Sequence, residues 1–132
     1  MERYEMAMNY KNSGDNCAVA VLKAYSDVLN INQDNLIKLG SGFGVGMGCL
    51  ESTCGSLIAA NMVLGLLNNN PRKRTMTMSA NLLKTFEGYT GASRCKDLKG
   101  LETGIVLCPC IDCVKYACIS LEEILKKEGI EF

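Results

Sequence analysis

The residues in this sequence that could carry chemistry are its cysteines. Eight cysteines occur in 132 residues, and histidine is absent. The absence of histidine excludes Cys-His and Ser-His-Asp nucleophiles, His-containing zinc sites and the attachment of haem through Cys-x-x-Cys-His. A thiolate can attack a disulfide or bind a soft metal. Redox exchange and metal ligation are therefore the two kinds of chemistry that the composition favours.

The densest group of cysteines is the segment Cys108-Pro109-Cys110-Ile111-Asp112-Cys113. Cys110 and Cys113 have the spacing of a redox pair or of two ligands on one metal. The chain lacks the second Cys-x-x-Cys of a zinc site, and neither ferredoxin spacing is present. Free cysteine is also a common small core residue. A non-catalytic helical interaction module with structural cysteines is therefore the alternative hypothesis.

The elements that must position these cysteines are helices. Apolar residues recur at intervals of three and four, without a sustained alternation of two, which predicts an all-α fold. We expect a compact single-domain bundle of about five to six helices over residues 1–132. The helices are predicted over residues 2–12, 17–28 and 34–39, from a Ser52 or Thr53 cap to Leu67, from Pro71 to about Gly88, and from Pro109 to Leu125.

A glycine-rich loop, residues 40–48, precedes the predicted central helix. Its glycines end regular structure and permit close backbone approach, so we expect tight packing there. The loop lacks the preceding strand and the Gly-Lys-Ser/Thr of a phosphate-binding loop, which argues against nucleotide binding. Residues 91–107 show no strong periodicity and are predicted to form a loop with a short turn near Cys95.

Three cysteines fall in the first turn of a predicted helix: Cys17, Cys54 and Cys110. The unpaired N–H groups at a helix start stabilise a negative charge by roughly 0.3–1 kcal/mol at exposed sites. Such a position lowers the pKa of a thiol and so favours the reactive thiolate. On the last helix, the periodicity predicts Cys110 near the middle of the buried face and Cys113 at its margin.

Charge and hydropathy restrict the partners of the chain. Fourteen basic residues balance fourteen acidic ones, so no net field attracts nucleic acid or an anionic membrane. No apolar run is long enough for membrane insertion, and the first residues lack the apolar region of a signal peptide. We therefore expect a cytoplasmic protein that acts with a redox partner protein, and a homodimer is one option for its assembly.

Several segments, taken in their order along the chain, resemble the C_GCAxxG_C_C family of redox-active proteins. They are Asn16-Cys17-Ala18, Ser41 to Gly48, Cys54-Gly55 followed by Met62 to Leu66, Arg94-Cys95, and Cys108 to Val114. The resemblance covers almost the whole chain and implies a small helical protein with four characteristic cysteines. Carried over by position, these are Cys17, Cys54, Cys95 and Cys110, with Cys108 or Cys113 as alternatives to Cys110.

The sequence departs from the family motif at two small residues. Ser56 stands where the motif has alanine, and Ala59 stands where it has glycine. The family is also similar to a domain of split-Soret cytochromes for which an iron-sulfur cluster has been proposed. The resemblance therefore implies four thiols that hold a [2Fe-2S] cluster or another thiophilic metal, or that cycle between dithiol and disulfide. The haem part of those cytochromes does not transfer, because the attachment motif is missing.

Overall fold

The structure, a computed structural model, describes residues 1–68 and 71–132, and these residues form helices with no strand. The predicted all-α class is confirmed. The helices are α1 (Arg3–Asn12), α2 (Cys17–Ala24), α3 (Ser26–Leu29), α4 (Gln33–Gly40), α5 (Gly55–Leu67), α6 (Pro71–Thr90), α7 (Cys95–Leu98) and α8 (Cys110–Lys127).

The described residues contain eight α-helices and not five to six, because the predicted second helix is divided into α2 and α3 and the short turn predicted near Cys95 is the helix α7. The predicted second helix is interrupted at Tyr25, whose φ of −112° and ψ of 11° are not helical. The buried Tyr25 side chain donates a hydrogen bond of 3.1 Å to Glu122 of α8. Each short helix has four residues, which is too few to produce a recognisable apolar periodicity.

The core of the described residues lies between α2, α5 and α8. α1 packs against α2 and α8, and α6 packs against α5 and α8. α5 contributes buried residues along most of its length, as its apolar sequence predicts. Among the described residues, no helix has both the length and the hydropathy that are needed to cross a membrane.

The spacing of Met78, Leu82, Phe86 and Tyr89 at i, i+4, i+8 and i+11 predicts one apolar stripe on α6, and this stripe is confirmed in part. Met78, Leu82 and Phe86 are buried. Tyr89, predicted to continue the stripe, is instead exposed and stacks on Tyr116 of α8 with ring centroids 5.1 Å apart. Tyr89 lies in the last turn of α6, so its ring covers the outer surface of α8 and does not enter the core.

The glycine-rich segment forms two turns, Ser41–Phe43 and Gly46–Leu50. The expected tight packing is present. A Cβ atom on Gly55, the first residue of α5, would lie 2.4 Å from the carbonyl oxygen of Phe43. The start of the central helix can approach the loop this closely only because residue 55 has no side chain.

Candidate functional site

Six of the eight cysteines line a single cavity, which we call the cysteine cavity. Its volume is about 20 Å³, enough for about one water molecule. The structure therefore brings together all four cysteines carried over from the resemblance and both alternatives to Cys110, while their chemical roles stay predictions. The cavity is lined by Cys17, Cys54, Cys95, Cys108, Cys110 and Cys113, and its other wall residues are Val45, Gly46, Gly55, Leu98 and Lys99.

Cys17 is the first residue of α2, and Asn16 fixes its position. The Asn16 side-chain oxygen accepts a hydrogen bond of 2.8 Å from the backbone N–H of Val19, so Asn16 is the N-cap residue of α2. The Asn16 amide nitrogen donates to the carbonyl oxygen of Gly40 over 3.1 Å. One side chain thus holds the start of α2 against the end of α4, directly beside the cavity.

Cys54 is the N-cap residue of α5, and the prediction of Ser52 or Thr53 as the cap is wrong. Thr53 instead forms an isolated antiparallel bridge with Arg94. The backbone N–H of Cys54 donates a hydrogen bond of 2.8 Å to the carbonyl oxygen of Ser93. The backbone N–H of Cys95 donates one of 3.0 Å to the carbonyl oxygen of Ser52. These reciprocal hydrogen bonds hold the Cys54 and Cys95 segments side by side.

Cys95 opens α7 and is covered by the glycine-rich loop. Gly46 has a φ of +55°, and a Cβ atom there would lie 2.7 Å from the Cβ atom of Cys95. Val45 and Met47 also adopt positive φ values, of 53° and 59°. Such conformations cost non-glycine residues on the order of 1–3 kcal/mol and are concentrated at functional sites. The loop therefore forms a strained wall of the cavity.

The remaining cysteines come from the start of α8, where Pro109 is the N-cap residue. The predicted order of burial is wrong, because Cys113 is 1% exposed whereas Cys110 is partly exposed. Cys110 is the first residue of the helix and lies beyond the core at the edge of the cavity. Cys113 lies one turn later and faces α5. Its carbonyl oxygen accepts a hydrogen bond of 3.2 Å from the hydroxyl of Ser56 on α5.

Cys110 and Cys17 form a thiolate–thiol pair. The Cys17 thiol donates a hydrogen bond to Cys110 and, with a smaller contribution from Lys99, lowers the pKa of Cys110 to about 5. The same hydrogen bond, together with burial, raises the pKa of Cys17 far above its usual range. Burial alone would lower the pKa of Lys99, but its contact with Cys110 outweighs that effect and raises it.

Cys54 and Cys113 form a second pair of the same kind. The hydrogen bond from Cys113 lowers the pKa of Cys54 to about 6, and the hydroxyl of Ser56 adds to the effect. The Ser56 oxygen lies 2.9 Å from the Cys54 sulfur. The pKa of Cys113 is strongly raised by its hydrogen bond to Cys54 and by burial. The cavity thus holds two acidic cysteines, each beside a cysteine that keeps its proton.

Cys95, Cys108 and Cys118 are not activated in this way. Burial raises the pKa of Cys95 and of Cys108. Cys49 is exposed and does not line the cavity, although its sulfur lies 3.7 Å from the carbonyl oxygen of Gly46. Cys118 is fully buried in the core, and burial raises its pKa to about 12. Cys118 therefore fits the structural interpretation of buried cysteine.

Sequence reasoning missed two residues of the site. Lys99 lies four positions after Cys95, so the prediction of a helix at Cys95 would have placed both on one face. Ser56 was noted only as a substitution of the family alanine. Its hydroxyl contacts both Cys54 and Cys113, which no spacing in the sequence indicates.

The family model described as "Putative redox-active protein (C_GCAxxG_C_C)" matches residues 15–124. This chain belongs to that family. The resemblance inferred from the sequence is confirmed, and the matched span includes every residue that lines the cysteine cavity. Comparison with curated proteins and with solved structures gave no match.

The iron-sulfur cluster implied by the resemblance does not fit this C_GCAxxG_C_C protein as its side chains are arranged. The thiols are suitable donors for a soft metal. However, the described residues contain no group of three His, Cys, Asp or Glu side chains placed to hold a metal ion. The cavity of about 20 Å³ holds about one water molecule, which is less room than two irons and two sulfides need.

Proposed function

We propose that this protein exchanges electrons with a substrate disulfide through Cys110 and Cys17. The observation that carries the proposal is the pairing of a partly exposed, acidic Cys110 with a protonated Cys17 in the cysteine cavity. A nucleophilic thiolate beside a second thiol is the arrangement that thiol–disulfide exchange requires. The membership of the chain in a redox-active family supports this chemistry.

The exchange proceeds in two displacements. The Cys110 thiolate attacks one sulfur of the substrate disulfide and releases the other sulfur as a thiolate. Cys17 then gives its proton to that thiolate and attacks the Cys110 sulfur, which expels the substrate sulfur still attached. The products are a Cys17–Cys110 disulfide and a reduced substrate, so two electrons pass from the protein to the substrate.

Access determines which acidic cysteine attacks first. Cys54 is 4% exposed and Cys17 is 9% exposed, whereas Cys110 lies at the edge of the cavity. Lys99 also lines the cavity and hydrogen-bonds to Cys110. Its ammonium group stabilises the thiolate before the attack and again when Cys110 is the leaving group. We propose that a redox partner protein with a low-potential dithiol then returns the pair to the reduced state.

The test is the rate of reaction of the reduced protein with a chromogenic aromatic disulfide at pH 6, where an ordinary thiol is almost fully protonated. We expect a fast phase that Cys110→Ser slows by at least about tenfold, since the other cysteines of the cavity are buried. Cys17→Ser, whose hydroxyl can still donate a hydrogen bond to Cys110, should keep the fast phase but stop at the mixed disulfide, which mass spectrometry detects as a covalent adduct.

Cys49→Ser is the matched control, because Cys49 is exposed but lies outside the cavity. This variant should retain the fast phase and resolve the adduct. If Cys110→Ser reacts as fast as the unmodified protein, the proposal is wrong. That result would favour the alternative of an interaction module with structural cysteines.

A further inference from the structure

We propose that Cys54 and Cys113 are a second, inner redox pair that receives the disulfide first formed between Cys17 and Cys110. The inference rests on the proposed exchange at Cys110 and extends it to a relay between two pairs. It assigns a redox role to Cys113, which lies outside the four cysteines carried over by position, and a positioning role to Ser56.

The contacts of Ser56 tie the inner pair together. Its side-chain oxygen lies 2.9 Å from the Cys54 sulfur and 3.2 Å from the carbonyl oxygen of Cys113, although one cysteine caps α5 and the other lies in the first turn of α8. All three residues are almost fully buried. The sulfur of Cys113 also lies 3.5 Å from the carbonyl oxygen of Cys108. The Cys113 thiol is thus held in the cavity wall beside Cys54, away from solvent.

The inner pair can reach the outer pair because they share one small space. Cys17, Cys54, Cys110 and Cys113 all line a cavity of about 20 Å³. The charge on Cys54 contributes to the raised pKa of Cys17, as expected for neighbouring sulfurs. A sulfur of the outer pair is therefore available to Cys54, whereas an external disulfide is not, because Cys54 is buried.

The transfer balances without a further oxidant. The Cys54 thiolate attacks the Cys17 sulfur and releases the Cys110 thiolate, which leaves a Cys17–Cys54 disulfide. Cys113 then attacks the Cys54 sulfur, and Cys17 leaves and takes the proton that Cys113 gives up. The Cys54–Cys113 disulfide replaces the Cys17–Cys110 disulfide, and the total numbers of electrons, protons and charges do not change.

The first step is favoured by its leaving group. A thiol with a lower pKa leaves more readily. Besides Cys17, Lys99 lowers the pKa of Cys110, and Lys99 remains in the cavity wall to stabilise the Cys110 thiolate that this step releases. The regenerated Cys110 can then react with a second substrate disulfide, so the cavity can supply four electrons.

Disulfide mapping over time tests the relay. The reduced full-length protein is mixed with one equivalent of glutathione disulfide, quenched with acid at intervals, alkylated and digested. Cleavage before Asp112 separates Cys110 from Cys113, so the two possible linkages give different peptides. We expect the Cys17–Cys110 linkage first and the Cys54–Cys113 linkage later, with Cys17 and Cys110 again open to alkylation.

Two variants test whether the relay depends on Cys113. Cys113→Ala should stop the relay with Cys17 still in a disulfide, to Cys110 or to Cys54, so that Cys17 does not become open to alkylation. Cys118→Ala, which changes a buried cysteine of the same helix outside the cavity, should leave the relay intact. If the unmodified protein keeps only the Cys17–Cys110 linkage, or joins Cys54 to Cys95 or Cys108, the inner pair is wrong and the proposed function stands. If no Cys17–Cys110 linkage forms at all, the proposed function fails, and the relay fails with it.

Discussion

The hydroxyl of Ser56 lies 2.9 Å from the sulfur of Cys54, and both residues are buried at the start of α5. The hydroxyl carries one proton and has two neighbouring acceptors, the Cys54 thiolate and the carbonyl oxygen of Cys113. The serine therefore gives this chain a means of adjusting Cys54, which an alanine at this position would not offer.

Replacing Ser56 with alanine should raise the pKa of Cys54. The Cys113 thiol, which has the larger effect, remains, and the lost hydrogen bond is worth on the order of 1 kcal/mol, or roughly 0.7 pKa unit. Site-resolved alkylation of Cys54 as a function of pH measures the shift. Ser120→Ala is the control, because Ser120 is buried and its hydroxyl has no hydrogen-bond partner among the described residues. Equal shifts in both variants would contradict the assignment.

Lys99 should control the reactivity of Cys110. In Lys99→Gln the hydrogen bond from Cys17 remains, but the loss of the ammonium group raises the pKa of Cys110 and slows its alkylation near and below pH 5, where the thiolate fraction follows the pKa. Because Cys110 is partly exposed, we expect a modest change, of about threefold to fivefold. Lys96→Gln is the control, since Lys96 pairs with Glu51 and Glu102 at the surface. The same slowing in both variants would show that Lys99 has no specific role.

The outer pair should also make stability depend on pH. Above a pH of about 5 the folded pair of Cys110 and Cys17 holds one proton. The unfolded pair holds two until the pH reaches about 8.5. The unfolded state therefore binds more protons in this window, and stability rises with pH. At higher pH the unfolded pair loses both protons while folded Cys17 keeps its own, so stability falls.

Urea unfolding under reducing conditions, repeated across this pH range, measures the effect. The difference in unfolding free energy between the unmodified protein and Cys110→Ser should grow from pH 5 to pH 8 and level off above pH 9, because buried Cys17 then keeps its proton in both folded proteins. The variant retains the inner pair and all carboxylates, so their contributions cancel in the difference. A difference that does not change with pH would rule out the thiolate–thiol pair.

The glycine-rich loop should protect Cys95 through Gly46. An alanine at position 46 would bring its Cβ atom to 2.7 Å from the Cβ atom of Cys95, which must displace the loop and speed alkylation of Cys95. Gly48→Ala is the matched control, because Gly48 also has a positive φ, of 77°, but a Cβ there would meet no atom within 4 Å. Both variants carry the cost of the backbone conformation, of order 1 kcal/mol. Only Gly46→Ala should expose Cys95.

Much of the fold follows from local signals in the sequence. The Asn16 cap places the start of α2, and the apolar positions Met78, Leu82 and Phe86 define the buried side of α6. Pro109 similarly marks the start of α8. These features act over one or two helical turns, so neighbouring residues suffice to predict them.

The pairing of the cysteines did not follow from local signals. Cys54 is brought beside Cys95 by backbone hydrogen bonds between the segments around Thr53 and Arg94, which are distant in sequence. Cys113 is more buried than Cys110 because α8 begins at the edge of the core, a fact of packing and not of periodicity. The sequence therefore indicated which cysteines belong to the site but not which of them are partners.

The most direct test of the account is competitive alkylation of the reduced protein at pH 6, with a limiting amount of iodoacetamide and each cysteine quantified by mass spectrometry. Cys49 is exposed, whereas Cys110 is only partly exposed. Accessibility alone would therefore favour Cys49. We predict that Cys110 is labelled first, because its pKa of about 5 makes it a thiolate at this pH. Preferential labelling of Cys49 would contradict the central claim, if Cys110 also stays unreactive until the pH approaches the pKa of an ordinary thiol.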